Sequence, residues 1–120
     1  PDCCVLPTCC ELCIMPFLDF MACIHPAIAT NSNTQTDFMT EENSLPLQID
    51  GLIPAIAKCP YYEGFHWAQP SYEHLRTLLR WVYENQDQAR AIGERGAQDA
   101  AQHWTWAHAA RCMSELIKVA

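Results

Sequence analysis

The chain has 120 residues, half of them apolar, and 14 acidic side chains against 7 basic ones for a net charge of −7. That length suffices for one modest core and excludes two full-size domains. The acid excess argues against nucleic acid, whose affinity for proteins comes mainly from Lys and Arg against phosphates.

The charge is unevenly placed. Residues 1–57 hold Asp2, Glu11, Asp19, Asp37, Glu41, Glu42 and Asp50 with no Lys or Arg, so the whole net charge falls there. From Lys58 onward acids and bases balance. No apolar run approaches the roughly 20 residues that span a bilayer, and no basic segment leads into an apolar one as a signal peptide requires. The expectation is a cytoplasmic protein without a membrane span.

In chain order, Pro1 to Pro7 contains CCVL, a continuous apolar run of the kind a parallel sheet covers on both faces. The segment Thr8 to Met15 reads as a loop. Pro16 lacks an N–H and suits a first helical turn, which predicts a helix from Pro16 to about Cys23. Glu11 then precedes the helix and Asp19 lies inside its first turns. Two carboxylates across such a junction can converge on one polyhydroxylated ligand, accepting hydrogen bonds from sugar or ribose hydroxyls, or they can simply be solvated charges. His25-Pro26 marks a turn, and Ala27-Ile28-Ala29 a second buried strand. Residues 31–36 are polar and turn-prone, and Leu45 to Ile49 alternates as a short strand that Pro46 confines to an edge.

Gly51 to Gln69 reads as an aromatic-rich surface loop, with Tyr61, Tyr62, Phe65 and Trp67 able to stack on a sugar or to pack over the sheet edge. Ser71 is a good N-cap, and Leu75, Leu78, Leu79 and Val82 give one buried helical stripe. A second helix over Asp87 to His103 presents Ala89, Ile92, Gly93, Gly96 and Ala100 for close packing. A third, capped by Thr105 and running through Val119, turns Trp106, Ala109, Ala110, Met113 and Leu116 or Ile117 inward. His66, His74, His103 and His108 belong to no catalytic motif and read as structural or solvated.

The fold class is therefore α/β: a small parallel sheet of two or three strands with crossover helices and a C-terminal helical tail. Residues 1–50 supply a βαβ-type portion, 51–69 the aromatic loop and 70–120 the tail. So small a sheet leaves exposed edges, from which a homo-oligomer or a completing domain follows.

Eight cysteines are many for this length, and Cys3, Cys4, Cys9, Cys10 and Cys13 crowd the first thirteen positions. Adjacent pairs point to opposite faces of a strand and do not simply bridge each other there. Cys9, Cys10 and Cys13 could bind a soft metal such as zinc adventitiously; Cys can equally serve as a small buried hydrophobe, natural in CCVL. His108 and Cys112, one helical turn apart, could add two ligands. No cofactor is required by any motif.

The order DCCVLP, a Glu, MPFLDFMA, HPAIAT and TDFMTEENS resembles the C-terminal, donor-binding half of GT-B fold glycosyltransferases of the family 4 type. GFHWAQPSYEHLRTLLRWVYEN and ARAIGERGAQDAAQHWTWAHAAR resemble the helical tail of the same family, so the likeness covers nearly the whole chain. It implies a half Rossmann-like domain that binds a nucleotide-sugar donor. Glu11 would contact the sugar, the backbone near Ile14 and Met15 the phosphate, and Asp19 the ribose. Cys10, Leu12, Ile14, Ile24 and Thr34 stand where the family has glycines, and Asp19 where it has Glu. The family's phosphate-binding basic residues and its acceptor domain lie upstream of the matching part, so the resemblance implies a piece that turns over nothing alone. A non-enzymatic module derived from such an enzyme, thiol-rich and metal-binding or used in assembly, is the alternative.

Overall fold

The structure, a computed structural model, describes residues 3–10, 15–56 and 60–119. Three short apolar runs pair as parallel strands in the order β1 (Cys4–Leu6), β2 (Ala27–Thr30), β3 (Leu45–Leu47). In register, Cys4 faces Ala27, Val5 faces Ile28, Ile28 faces Leu45 and Thr30 faces Leu47. All four residues of β2 are buried, as a central strand covered on both faces requires. Pro46 lies on an edge strand, where its missing donor is tolerated.

Alternation along the strands separates two cores. Cys4, Ala27 and Ala29 meet Phe17 and Met21 of α1 (Met15–Ala22), together with Phe38, Met39 and Ala100. Ile28, Leu45 and Leu47 point the other way, onto Leu75, Leu78, Trp81 and Val82 of α2 (Tyr72–Glu84) and Ile92 of α3 (Gln86–His103). Phe17, Met21, Ile28 and Leu47 are fully enclosed, each contributing about 1.5–3 kcal/mol relative to exposure. The rings of Phe17 and Phe38 lie 5.7 Å apart, and Phe38 meets Trp104 edge-on at 5.6 Å. As the small residues predict, α3 packs closely at Gly93 and Gly96.

Two expectations are corrected. The segment read as an aromatic loop folds instead into an antiparallel hairpin of β4 (Ile49–Pro54) and β5 (His66–Pro70), so Ile49 leaves β3 and joins a second sheet. A register shift between Ile49 and Gly51, with Gly51 at φ +149°, admits a bulge there. Tyr62 packs edge-on against Trp67 at 5.9 Å within the hairpin, whereas Tyr61 and Phe65 remain exposed.

The last helix, α4 (Trp106–Val119), is capped by Thr105, whose Oγ1 accepts from the His108 N–H at 3.2 Å. It buries none of the residues predicted to turn inward: Trp106, Met113, Leu116 and Ile117 are all exposed. The sheet is already covered by α1, α2 and α3, and α4 contributes no residue to either core. The radius of gyration, 16.3 Å, correspondingly exceeds the roughly 14 Å of a compact domain this long. Among the described residues, no helix is long and apolar enough to cross a membrane.

Candidate functional site

In a parallel sheet every strand delivers its following loop to the same edge, and ligands of open α/β sheets bind outside that carboxyl edge. Here the edge gathers residues 7–10 after β1, the start of α1, the 3-10 turn Asn33–Asp37 after β2, and Gln48 after β3. Several backbone bonds hold these pieces together. The Asn31 N–H donates to the Leu47 carbonyl at 2.8 Å, and the Ser71 N–H to the Gln48 carbonyl at 2.8 Å. The hairpin is tied to the same edge, since Ala68 N–H donates to the Cys9 carbonyl at 3.1 Å. His74 is structural here: its Nδ1 accepts from the Gln48 N–H at 3.1 Å, which makes it the unprotonated nitrogen of that ring.

Met15 opens α1 at this edge and Asp19 follows one turn later, both exposed. The first turn carries no acidic residue and includes Pro16, which has no N–H of its own. Glu11, Ile14 and Cys13 lie outside the described residues, as does Leu12. Of the four residues that the resemblance assigns to the donor, Met15 and Asp19 are therefore the two with a described position, on the helix that follows β1.

Among the described residues, three buried side-chain oxygens have no hydrogen-bond partner: Thr8 Oγ1, Thr30 Oγ1 and Gln35 Oε1. All three belong to the carboxyl edge, Thr8 following β1, Thr30 ending β2 and Gln35 in the turn beyond it. Thr30 and Gln35 are each 1 % exposed. Leaving such a group unsatisfied costs about 1–3 kcal/mol. Neither residue stands out in the sequence. Thr30 reads as the end of an apolar strand, and Gln35 sits among polar neighbours that look equally solvated.

The cysteines divide by depth. Cys4 is buried and Cys3 half-buried, while Cys10, Cys23 and Cys112 are exposed and Cys9 is intermediate. Burial first, and then the neighbouring Cys4, push the Cys3 thiol up to about 11; burial raises Cys4 as well. Both are protonated at neutral pH and are inert as thiolate ligands or nucleophiles. Among the described residues, no group of three or more His, Cys, Asp and Glu side chains could hold a metal ion. His108 turns to His103, with ring centroids 6.2 Å apart.

At the opposite, amino edge, the α1–β2 turn and the α2–α3 corner enclose an open cleft of about 570 Å³. Ile24, His25, Leu79, Val82, Tyr83 and Arg90 contribute to its lining. The Arg90 guanidinium lies 3.5 Å from Glu94, so its charge is already matched. The cleft lies at the wrong end of the strands for α/β ligand chemistry.

No family model, no curated protein and no solved structure matches the chain.

Proposed function

We propose that this chain is the nucleotide-sugar-binding part of a glycosyltransferase of the GT-B, family 4 type, built as a half Rossmann-like unit. The observation that supports the reading is the parallel β1-β2-β3 sheet, which delivers the segments after its strands and the start of α1 to one carboxyl edge. Thr30 and Gln35, each 1 % exposed, would lie beneath the ligand as the floor of that edge rather than touch it. Asp19 would accept from the ribose hydroxyls and Glu11 from the sugar, with N–H groups near Ile14 and Met15 facing the phosphate. Since residues 1–57 contain no Lys or Arg, those N–H groups would hold the diphosphate without cationic help, and affinity would be low. Electrostatic stabilisation of the leaving diphosphate is the chief catalytic need of such a transfer, so the chain alone turns over nothing. A cytoplasmic location fits a donor of this kind.

Thermal unfolding with UDP, GDP and ADP sugars tests the reading. One nucleotide class should raise the melting temperature of the wild type at millimolar ligand, because a ligand bound only to the native state stabilises it by mass action. Glu11→Ala should lose the sugar-dependent part of that shift while keeping the response to the free nucleotide. No shift with any of the three sugars would overturn it.

The alternative, an assembly module, is favoured by one specific observation: the apolar face of α4 is turned wholly to solvent.

A further inference from the structure

We infer that α4 is a self-association element, pairing antiparallel with the α4 of a second copy about a two-fold axis that passes between residues 111 and 112. The pairing does not depend on nucleotide binding.

Trp106, Ala109, Ala110, Met113, Leu116 and Ile117 recur at intervals of three and four and share one face of the helix. Trp106 is 80 % exposed, Met113 64 %, Leu116 73 % and Ile117 74 %. His108, Arg111 and Glu115 occupy the opposite side. Of all the described α4 residues, only His108 is part-buried, so the polar side leans toward the body through His103 and the apolar side faces out. Single exposed hydrophobes are ordinary; a continuous helical face of them marks an interface.

The face is self-complementary. An antiparallel pair related by that axis brings together residues whose numbers sum to 223. Trp106 then meets the partner's Ile117, and small Ala110 receives the partner's Met113, with the converse contacts made by symmetry. Large residues oppose small ones near the axis, as interdigitation of two helices requires. No charged residue falls on the contact face. At on the order of 150 Å² for each of the four large exposed side chains, the arc offers on the order of 600 Å² per copy, about 1,200 Å² in total and at the low end of specific interfaces. Because α4 supplies none of the core, pairing it disturbs nothing in the fold.

Sedimentation velocity of the full chain under reducing conditions, from about 5 to 200 µM, tests the inference with Met113→Glu and Arg111→Glu as the variants. Wild type and Arg111→Glu should sediment as dimers at the upper concentrations. Met113→Glu should weaken dimerisation by on the order of 100-fold or more, since it places a charge at the centre of the contact, with an unchanged far-ultraviolet circular dichroism spectrum. A wild type that is monomeric throughout would overturn the inference and leave the face to another segment or partner. A dimer that survives Met113→Glu would place the contact on a sheet edge instead and equally overturn it. Loss of the dimer in both variants would trace association to net charge rather than to this face, and a wild-type species larger than a dimer would require a contact that a two-fold pair of helices does not supply; either result overturns the inference as well.

Discussion

Gly96 lies flush beneath the main chain of Asn43: a Cβ on Gly96 would stand 2.7 Å from the Asn43 carbonyl oxygen. That approach is closer than a methyl group allows, and the obstacle is backbone, which cannot rotate aside. Gly96→Ala therefore forces α3 away from the 40–44 turn. Alanine recovers about 1 kcal/mol of helix propensity, while overpacking against a fixed backbone costs about 1–3 kcal/mol. A net loss of about 1 kcal/mol is expected as a lower urea midpoint with an unchanged slope. A stability equal to or above wild type would show that α3 can slide along the turn freely.

Asn43 itself is the knot of that contact. It is 4 % exposed, and its amide donates to the Phe38 carbonyl at 2.8 Å and to Asp99 Oδ2 at 2.7 Å, while its Oδ1 accepts from the Thr40 N–H at 2.8 Å. Asn43→Leu strands a buried carbonyl, an N–H and a carboxylate at once, for an expected cost of about 2–4 kcal/mol. Asn43→Asp keeps the shape but puts two carboxylates in contact. Each raises the other's pKa in the folded state, so this variant should regain stability as pH falls from 7 toward 4, opposite to ordinary acid denaturation. Urea midpoints at the two pH values decide it; an Asn43→Asp protein that weakens on acidification would show that the pair is not held together.

Ile24 has φ +64°, a left-handed conformation that a β-branched residue rarely adopts. Its side chain is half exposed, so little burial would be lost with it. Ile24→Gly should relieve about 1–2 kcal/mol of backbone strain against about 0.5–1 kcal/mol of added unfolded-state entropy, a gain of a few tenths to one kcal/mol. The gain should appear as a higher thermal midpoint. Asn33, at φ +58°, needs no such repair because Asn tolerates that region. Destabilisation by Ile24→Gly would mean that the Ile24 side chain holds the α1–β2 turn through contacts on the cleft wall.

Much of the sheet could be read from residue order because its signals are local. The run AIAT is buried throughout and CVL is buried or half-buried, and continuous apolar stretches announce such strands directly; Pro16 and Ser71 then mark helix starts to within a residue. The hairpin could not be read so. Its strands carry Gly51, Pro54 and Pro70, which argue locally for a loop, and pairing such as Leu52 with Ala68 is decided across a long separation. Periodicity in α4 identified its apolar face correctly but carries no information on whether the core has room for it. The candidate site is the least legible part. The twin-acid reading rests on Glu11, which is outside the described residues, and an unpartnered Gln35 differs from a solvated one only in three dimensions.

Alkaline pH should expose the difference between Cys3 and the outer thiols. The ordinary thiol value is 9.0, and in the fold burial together with Cys4 lifts Cys3 to about 11. The native state thus holds its proton more tightly than the unfolded chain, and the associated stability is fully present below pH 9 and lost as pH rises through 11. Urea midpoints measured at pH 8 and at pH 10.5 should fall more for wild type than for Cys3→Ala, which removes that titration and leaves those of the tyrosines and lysines in place. At pH 8 a thiol reagent should modify Cys10, Cys23 and Cys112 quickly, with Cys3 and Cys4 reacting only at the rate of unfolding. Rapid labelling of Cys3, or an equal alkaline loss in Cys3→Ala, would show that β1 opens to solvent in the native state and that burial of this thiol contributes nothing.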